Sequence, residues 1–115
     1  MGDNCFIFED NTVQPFVEIG NNVILWSGNH IGHHGKIGDN CFITSHVTIA
    51  GNCDIGANSF FGVNSSVADY VKIAKDNYIA MGAVINKPTE ENSIYKGNPA
   101  EKSKISAKAF FKIKD

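Results

Sequence analysis

The chain of 115 residues lacks most of the features that place a protein at a glance. No apolar run is long enough to span a bilayer and no charged-then-apolar leader opens the chain, so a soluble, cytoplasmic protein is expected, with no membrane partner. Charge of one sign is missing too: ten basic and twelve acidic residues leave a net charge of -2, and the two signs are interspersed rather than blocked. That balance speaks against nucleic acid held through its phosphates and reads as an ordinary solvated surface. Cysteine is scarce, with Cys5, Cys41 and Cys53 and no CxxC pair, so reduced core thiols are expected rather than a disulfide frame or a thiolate metal site. A helical period is also absent, because 3.6 residues per turn would carry successive sixth residues around a helix and not along one side.

What the chain has instead is a period of six. Every sixth residue from Met1 to Ile85 is apolar without interruption, fifteen in succession through Ile19, Ile37, Ile55 and Ile73. The next position is mostly small (Gly20, Gly32, Gly38, Ala50, Gly56), and the fifth is small or compact and contains all three cysteines. Hexads this short suit brief strands separated by tight corners, and a repeat of this regularity sets the architecture. Three hexads close one triangular coil, so each residue lies over the one three hexads before it and strands of successive coils pair in parallel. The register sorts the corners into columns. One column runs Asn4, Asn22, Asn40, Asn58 and Asp76, residues that tolerate positive φ. Another runs Asp10, Gly28, His46, Asn64 and Gly82, with His46 the exception among turn formers.

The expected architecture is thus all-β: a parallel β-helix, a triangular prism of about five coils, over residues 1–88. After Lys87-Pro88 the period is lost. Within 89–115, Thr89 to Ala100 reads as a loop ending in Gly97-Asn98-Pro99, and the stretch from Glu101, with Ile105, Ala109, Phe110 and Ile113, as a short amphipathic capping helix. The repeat is already in phase at Met1, which leaves the first coil bare and predicts another domain or another chain against it.

An aliphatic residue followed by Gly, two polar residues and a small one, as in Ile37-Gly38-Asp39-Asn40-Cys41, resembles the left-handed β-helix hexapeptide acyltransferases. The left hand is implied by that resemblance, since parallel crossovers are otherwise almost always right-handed. The segment Asn29-His30-Ile31-Gly32-His33-His34-Gly35-Lys36-Ile37-Gly38-Asp39, with the later Gly97-Asn98-Pro99-Ala100, is similar to sugar acetyltransferases of the sialic acid O-acetyltransferase type and to bacillosamine and perosamine N-acetyltransferases. The resemblance implies acetyl-CoA as acyl donor and a sugar acceptor, nucleotide-linked and bound for surface polysaccharide. It also implies a homotrimer and a catalytic histidine at His33, with His34 where several relatives have an acidic or polar neighbour. Many relatives carry an N-terminal nucleotide-sugar-binding domain that has no counterpart in these residues.

Acetyl transfer from a thioester needs a base for the attacking hydroxyl or amine and a donor for the developing oxyanion. An imidazole, with an ordinary pKa of about 6.5, suits the first role. His33 falls at a corner, facing away from the core, and is the candidate base; the alternative is a surface or subunit-contact histidine. His34 is a candidate for orienting His33 or touching substrate. Gly51, one coil above His33, lets the thioester approach the backbone and offers its amide N–H to the oxyanion. His30 and His46 read as turn or interface residues, Trp26 stacked on Phe8 as an oligomer contact, and Lys72 and Lys75 as solvated cations. Two other functions share the coil. A zinc lyase of the γ-carbonic anhydrase type would need a long gap and then a close pair of ligands, whereas the four histidines cluster between 30 and 46, so no metal is expected. A catalytically silent trimerising scaffold is the other.

Overall fold

Two-residue strands begin at Phe6–Ile7, Thr12–Val13 and Glu18–Ile19 and recur every six residues to Val84–Ile85, with the one at Asn77–Ile79 a residue longer. In this computed structural model, which describes residues 1–112, they pair in parallel with partners three hexads apart: Phe6 with Ile24, Ile24 with Phe42, Phe42 with Phe60, Phe60 with Tyr78. Three flat faces result. The first holds Phe6–Ile7, Ile24–Leu25, Phe42–Ile43, Phe60–Phe61 and Asn77–Ile79. The second holds Thr12–Val13, His30–Ile31, Thr48–Ile49, Ser66–Val67 and Val84–Ile85, and the third Glu18–Ile19, Lys36–Ile37, Asp54–Ile55 and Lys72–Ile73. The structure is the expected all-β solenoid of about five coils.

Strand alternation explains which side chain goes where. The last residue of each strand points inward, and from Ile19 to Ile85 every one is buried. Each such aliphatic side chain stabilises the coil by roughly 1.5–3 kcal/mol. Those of the first coil, Ile7 and Val13, stay partly exposed. The residue before it points outward and gives each face its character. The first face is aromatic apart from Ile24 (Phe6, Phe42, Phe60, Tyr78), the second polar up to Val84 (Thr12, His30, Thr48, Ser66), and the third alternates charge, with Glu18 3.9 Å from Lys36.

The corners share one conformation. Every sixth residue from Asn4 to Gly82 is left-handed, with φ between 56 and 73°. His46, the odd member of its column, adopts it as well. On the edge between the third and first faces the side chains form a ladder: Asn22 Nδ2 donates to Asn40 Oδ1 (3.1 Å), Asn40 to Asn58 (3.1 Å), and Asn58 to Asp76 (3.0 Å). The cysteines occupy the inward corner position, and each thiol reaches a carbonyl of the next coil: Cys5 to Gly20, Cys41 to Gly56, Cys53 to Ala68. All three are free thiols. Burial pushes the Cys41 thiol up to about 11, and burial raises Cys53 in the same direction.

Beyond Pro88 the structure departs from expectation. The segment read as a loop contains the strand Ser93–Gly97, which continues the first face by pairing in parallel with Asn77–Ile79. Ser93 pairs with Asn77 where the regular register would place it over Lys75, so the last coil falls short of three full hexads. The shortening occurs where Thr89 docks on the third face: its N–H donates to the Lys72 carbonyl and its Oγ1 accepts from the Ala74 N–H. That cut corner is why the period of six stops registering. The chain then turns back as Ala100–Lys102, antiparallel to the new strand, so Glu101 and Lys102 belong to a hairpin and not to the helix. The helix is Ala107–Phe111, capped by Ser106, whose hydroxyl accepts from the Ala109 N–H. Ile113, counted with that helix, lies outside the described residues.

Candidate active site

The edge between the second and third faces carries the histidine pair. Its outer corner positions stack Pro15, His33, Gly51 and Asp69, each one coil above the last, and the left-handed positions beside them stack Phe16, His34, Asn52 and Tyr70. The register therefore brings His33 and Gly51 together, as a rung of three hexads requires. The imidazole of His33 leans over the Gly51 Cα: a Cβ there would lie 2.8 Å from His33 Nε2 and 2.9 Å from Cε1. Only glycine leaves that space, and it leaves His33 Nε2 beside bare backbone.

His34 is joined to His33 on the other side. The two Nδ1 atoms are 3.1 Å apart and the rings stand edge to face at 88°. Two ring nitrogens at that distance share one proton, so one must donate and the other accept. With the proton on His33 Nδ1, Nε2 is left with its lone pair in the plane of a ring whose face lies over Gly51, and an unprotonated Nε2 is the form a base requires. The outer ring face of His34 is covered by Phe16, stacked at 5.0 Å and 23°. The His33 N–H donates to Gln14 Oε1 (3.0 Å), which anchors the corner backbone.

The Gly51 N–H, assigned to a developing oxyanion, already donates to Asp69 Oδ1 at 3.0 Å. The same cap from the coil above recurs on the edge between the third and first faces, where the Asp3 N–H donates to Asn21 Oδ1 and the Asn21 N–H to Asp39 Oδ1. Asp69 and Phe16 are the members of this site that sequence reasoning passed over. Both were accessible by the register, since Asp69 lies one coil above Gly51 and Phe16 one coil below His34.

The other candidates lie elsewhere. His30 points outward on the second face between Thr12 and Thr48. His46 stands on the edge between first and second faces, packed over Gly28, where a Cβ would meet its Nδ1 at 2.6 Å. Lys72 stands on the charged third face and Lys75 pairs with Glu91 at 3.8 Å. Trp26 does stack on Phe8 (5.4 Å), but the two are not an isolated pair. They begin an aromatic column that continues through Phe42, Phe60 and Tyr78 and ends under Phe110 and Phe111 of the helix. Among the described residues no three His, Cys, Asp or Glu side chains converge as metal ligands, and no helix is long and apolar enough to cross a membrane.

Comparisons with known proteins bear on the fold. Sequence comparison with curated proteins returns no match. The acetyltransferase domain of PglB from Neisseria gonorrhoeae superposes with a TM-score of 0.75 at 16% identity, over 87% of this chain and 55% of that one. PerB from Caulobacter crescentus, solved with CoA and GDP-perosamine, gives 0.66 at 21% identity over 85% and 57%. Serine acetyltransferase from N. gonorrhoeae gives 0.74 at 21% identity over 82% and 42%. At these identities the likeness is one of fold, and the chain spans about half the length of these solved proteins. The model of the bacterial transferase hexapeptide (six repeats) matches residues 1–33 and 19–51, a little under half of the chain, and the fold is the left-handed β-helix of those solved structures.

Proposed function

We propose that the protein is an acetyltransferase that moves an acetyl group from acetyl-CoA to a hydroxyl or amine of a sugar, nucleotide-linked and destined for surface polysaccharide, as a cytoplasmic homotrimer. The observation that carries this reading is the His33 imidazole resting over the bare backbone of Gly51. PglB's acetyltransferase domain and PerB with GDP-perosamine support a sugar acceptor. The single prism offers flat faces and an open edge, so the trimer is what would exclude water from the site.

Acetyl-CoA bound there supplies an acetyl group activated as a thioester. Because Gly51 has no side chain, the His33 ring lies close against the backbone there, and the acetyl group is placed beside its Nε2. His33 Nε2 takes the proton from the acceptor's hydroxyl or amine and returns it to the departing sulfur, so the imidazole ends the cycle neutral. His34 Nδ1 accepts the His33 Nδ1–H throughout, which holds the base in its working tautomer and shares the positive charge of the imidazolium. The Gly51 N–H serves the developing oxyanion once the thioester oxygen replaces Asp69 as its acceptor.

The test is His33→Ala assayed by thiol release from acetyl-CoA with amino- and deoxy-sugar nucleotides. Turnover should fall by about 10²–10⁴ with little change in Tm, because His33 is exposed. Undiminished turnover would overturn the assignment.

A further inference from the structure

Left-handed φ is readily adopted by Asn, Asp and Gly, and those residues fill ten of the fourteen corners. The four exceptions are Phe16, His34, His46 and Tyr70, and three of them stand on the edge that carries His33. A phenylalanine at φ 65° is the most strained kind of exception, and burial does not offset it, since Phe16 is 76% exposed. Its ring instead lies flat on His34, at 5.0 Å and 23°.

That contact has a consequence for the base. His34 is itself exposed at a corner, so its imidazole would turn freely about its side-chain bonds. The 3.1 Å approach of His34 Nδ1 to His33 Nδ1 needs one setting of that ring, and a turned ring presents carbon to His33 instead. We propose that Phe16 is a positioning residue: stacked on His34, it fixes the ring plane that keeps the His33 proton on Nδ1 and leaves Nε2, beside Gly51, without one. This rests on the acetyltransferase reading for its catalytic consequence, but the geometric part stands apart from it. The strain at Phe16 is then the means by which an aromatic ring is held under His34 on an edge where asparagine would be the more stable choice.

Phe16→Asn separates the roles because it removes the ring and relieves the backbone together. Tm is expected to rise by a few degrees. At the same time kcat for acetyl transfer should fall about tenfold, with KM for acetyl-CoA within about twofold. Side-chain ¹⁵N NMR of His33 should change from one tautomer, protonated at Nδ1, to a mixture. Phe16→Tyr keeps the ring and should restore both kcat and the single tautomer. Unchanged kcat with an unchanged tautomer would overturn the proposal. So would a fall in Tm, which would assign Phe16 to packing, or dissociation of the oligomer in sedimentation, which would assign it to a subunit contact. If the wild-type protein turns over no acetyl-CoA, the functional reading fails, and the tautomer comparison still decides whether Phe16 positions His34.

Discussion

Replacing Gly51 with alanine probes the site with the smallest change available, one methyl group. Gly51 is not among the left-handed corner residues, so alanine brings no backbone strain. The new Cβ would lie 2.8 Å from His33 Nε2, 2.9 Å from Cε1 and 3.3 Å from Cδ2, all closer than ordinary van der Waals contact. Everything it meets at that range is one exposed side chain, which can swing away, so His33 moves and the coil does not. A displacement of about 1 Å at a catalytic group lowers turnover by about 10², equivalent to about 2.7 kcal/mol of transition-state stabilisation. Stability should change by less than about 1 kcal/mol, because the loss of unfolded-state freedom in Gly→Ala opposes any residual crowding. Two sister substitutions calibrate the result. At Gly32 the Cβ would meet Ala50 C and Gly51 N at 2.5 Å, so Gly32→Ala presses backbone on backbone and should unfold the coil. At Gly82 nothing lies within 4 Å but φ is +70°, so Gly82→Ala should cost about 1 kcal/mol and leave turnover intact. The assay is initial rate of thiol release beside thermal melting of each variant. Gly51→Ala retaining full kcat/KM, or melting as Gly32→Ala does, would refute the placement of the base over Gly51.

Removing the competing acceptor in Asp69→Ala leaves the Gly51 N–H free for a thioester oxygen, so KM for acetyl-CoA should fall about fivefold, the worth of one net hydrogen bond of about 1 kcal/mol; a rise in KM would show that the carboxylate holds the corner in its working shape. The Cys41 thiol has its pKa raised by burial from 9.0 to about 11, so the folded state favours the protonated form. The associated stability is fully present below pH 9 and is lost as pH rises through about 11, a term of about 3 kcal/mol. Melting temperature should therefore fall more steeply between those pH values in the parent protein than in Cys41→Ala, and parallel curves would contradict it.

The solenoid was legible because its two periods are physical. A period of six marks inward apolar positions, and a rung of three hexads marks what lies above what, so the pairing of Phe6 with Ile24 and the approach of His33 to Gly51 could both be read from the chain alone. Asp69 was on the same column and went unread, because an aspartate capping the amide of the coil below looks like any solvated carboxylate until its Oδ1 is seen 3.0 Å from the Gly51 nitrogen. Phe16 went unread for the opposite reason: an isolated aromatic at a corner fits no turn rule, and its meaning lies in the ring one coil above. The end of the coil was illegible in principle. Ser93 pairs with Asn77 and not with Lys75, so the very signal that identified earlier strands is shifted out of phase there.

The three edges share backbone geometry and differ in what their side chains do with it. Between the third and first faces, amide side chains bond coil to coil from Asn22 to Asp76, so the left-handed residues themselves stitch the stack. Between the second and third faces the same positions hold Phe16, His34, Asn52 and Tyr70, a column that cannot form such a ladder because three of its members carry rings. Cross-coil side-chain contact on that edge is instead a ring stack below His34 and amide caps from Gln14 on His33 and Asp69 on Gly51. Because inward burial and parallel pairing already hold every coil, one edge can depart from the stable choice without loss of the fold. The edge that departs is the one that holds His33 over the bare backbone of Gly51, and the concentration of strained corners there sets it apart from the other two in a repeat whose coils otherwise look alike.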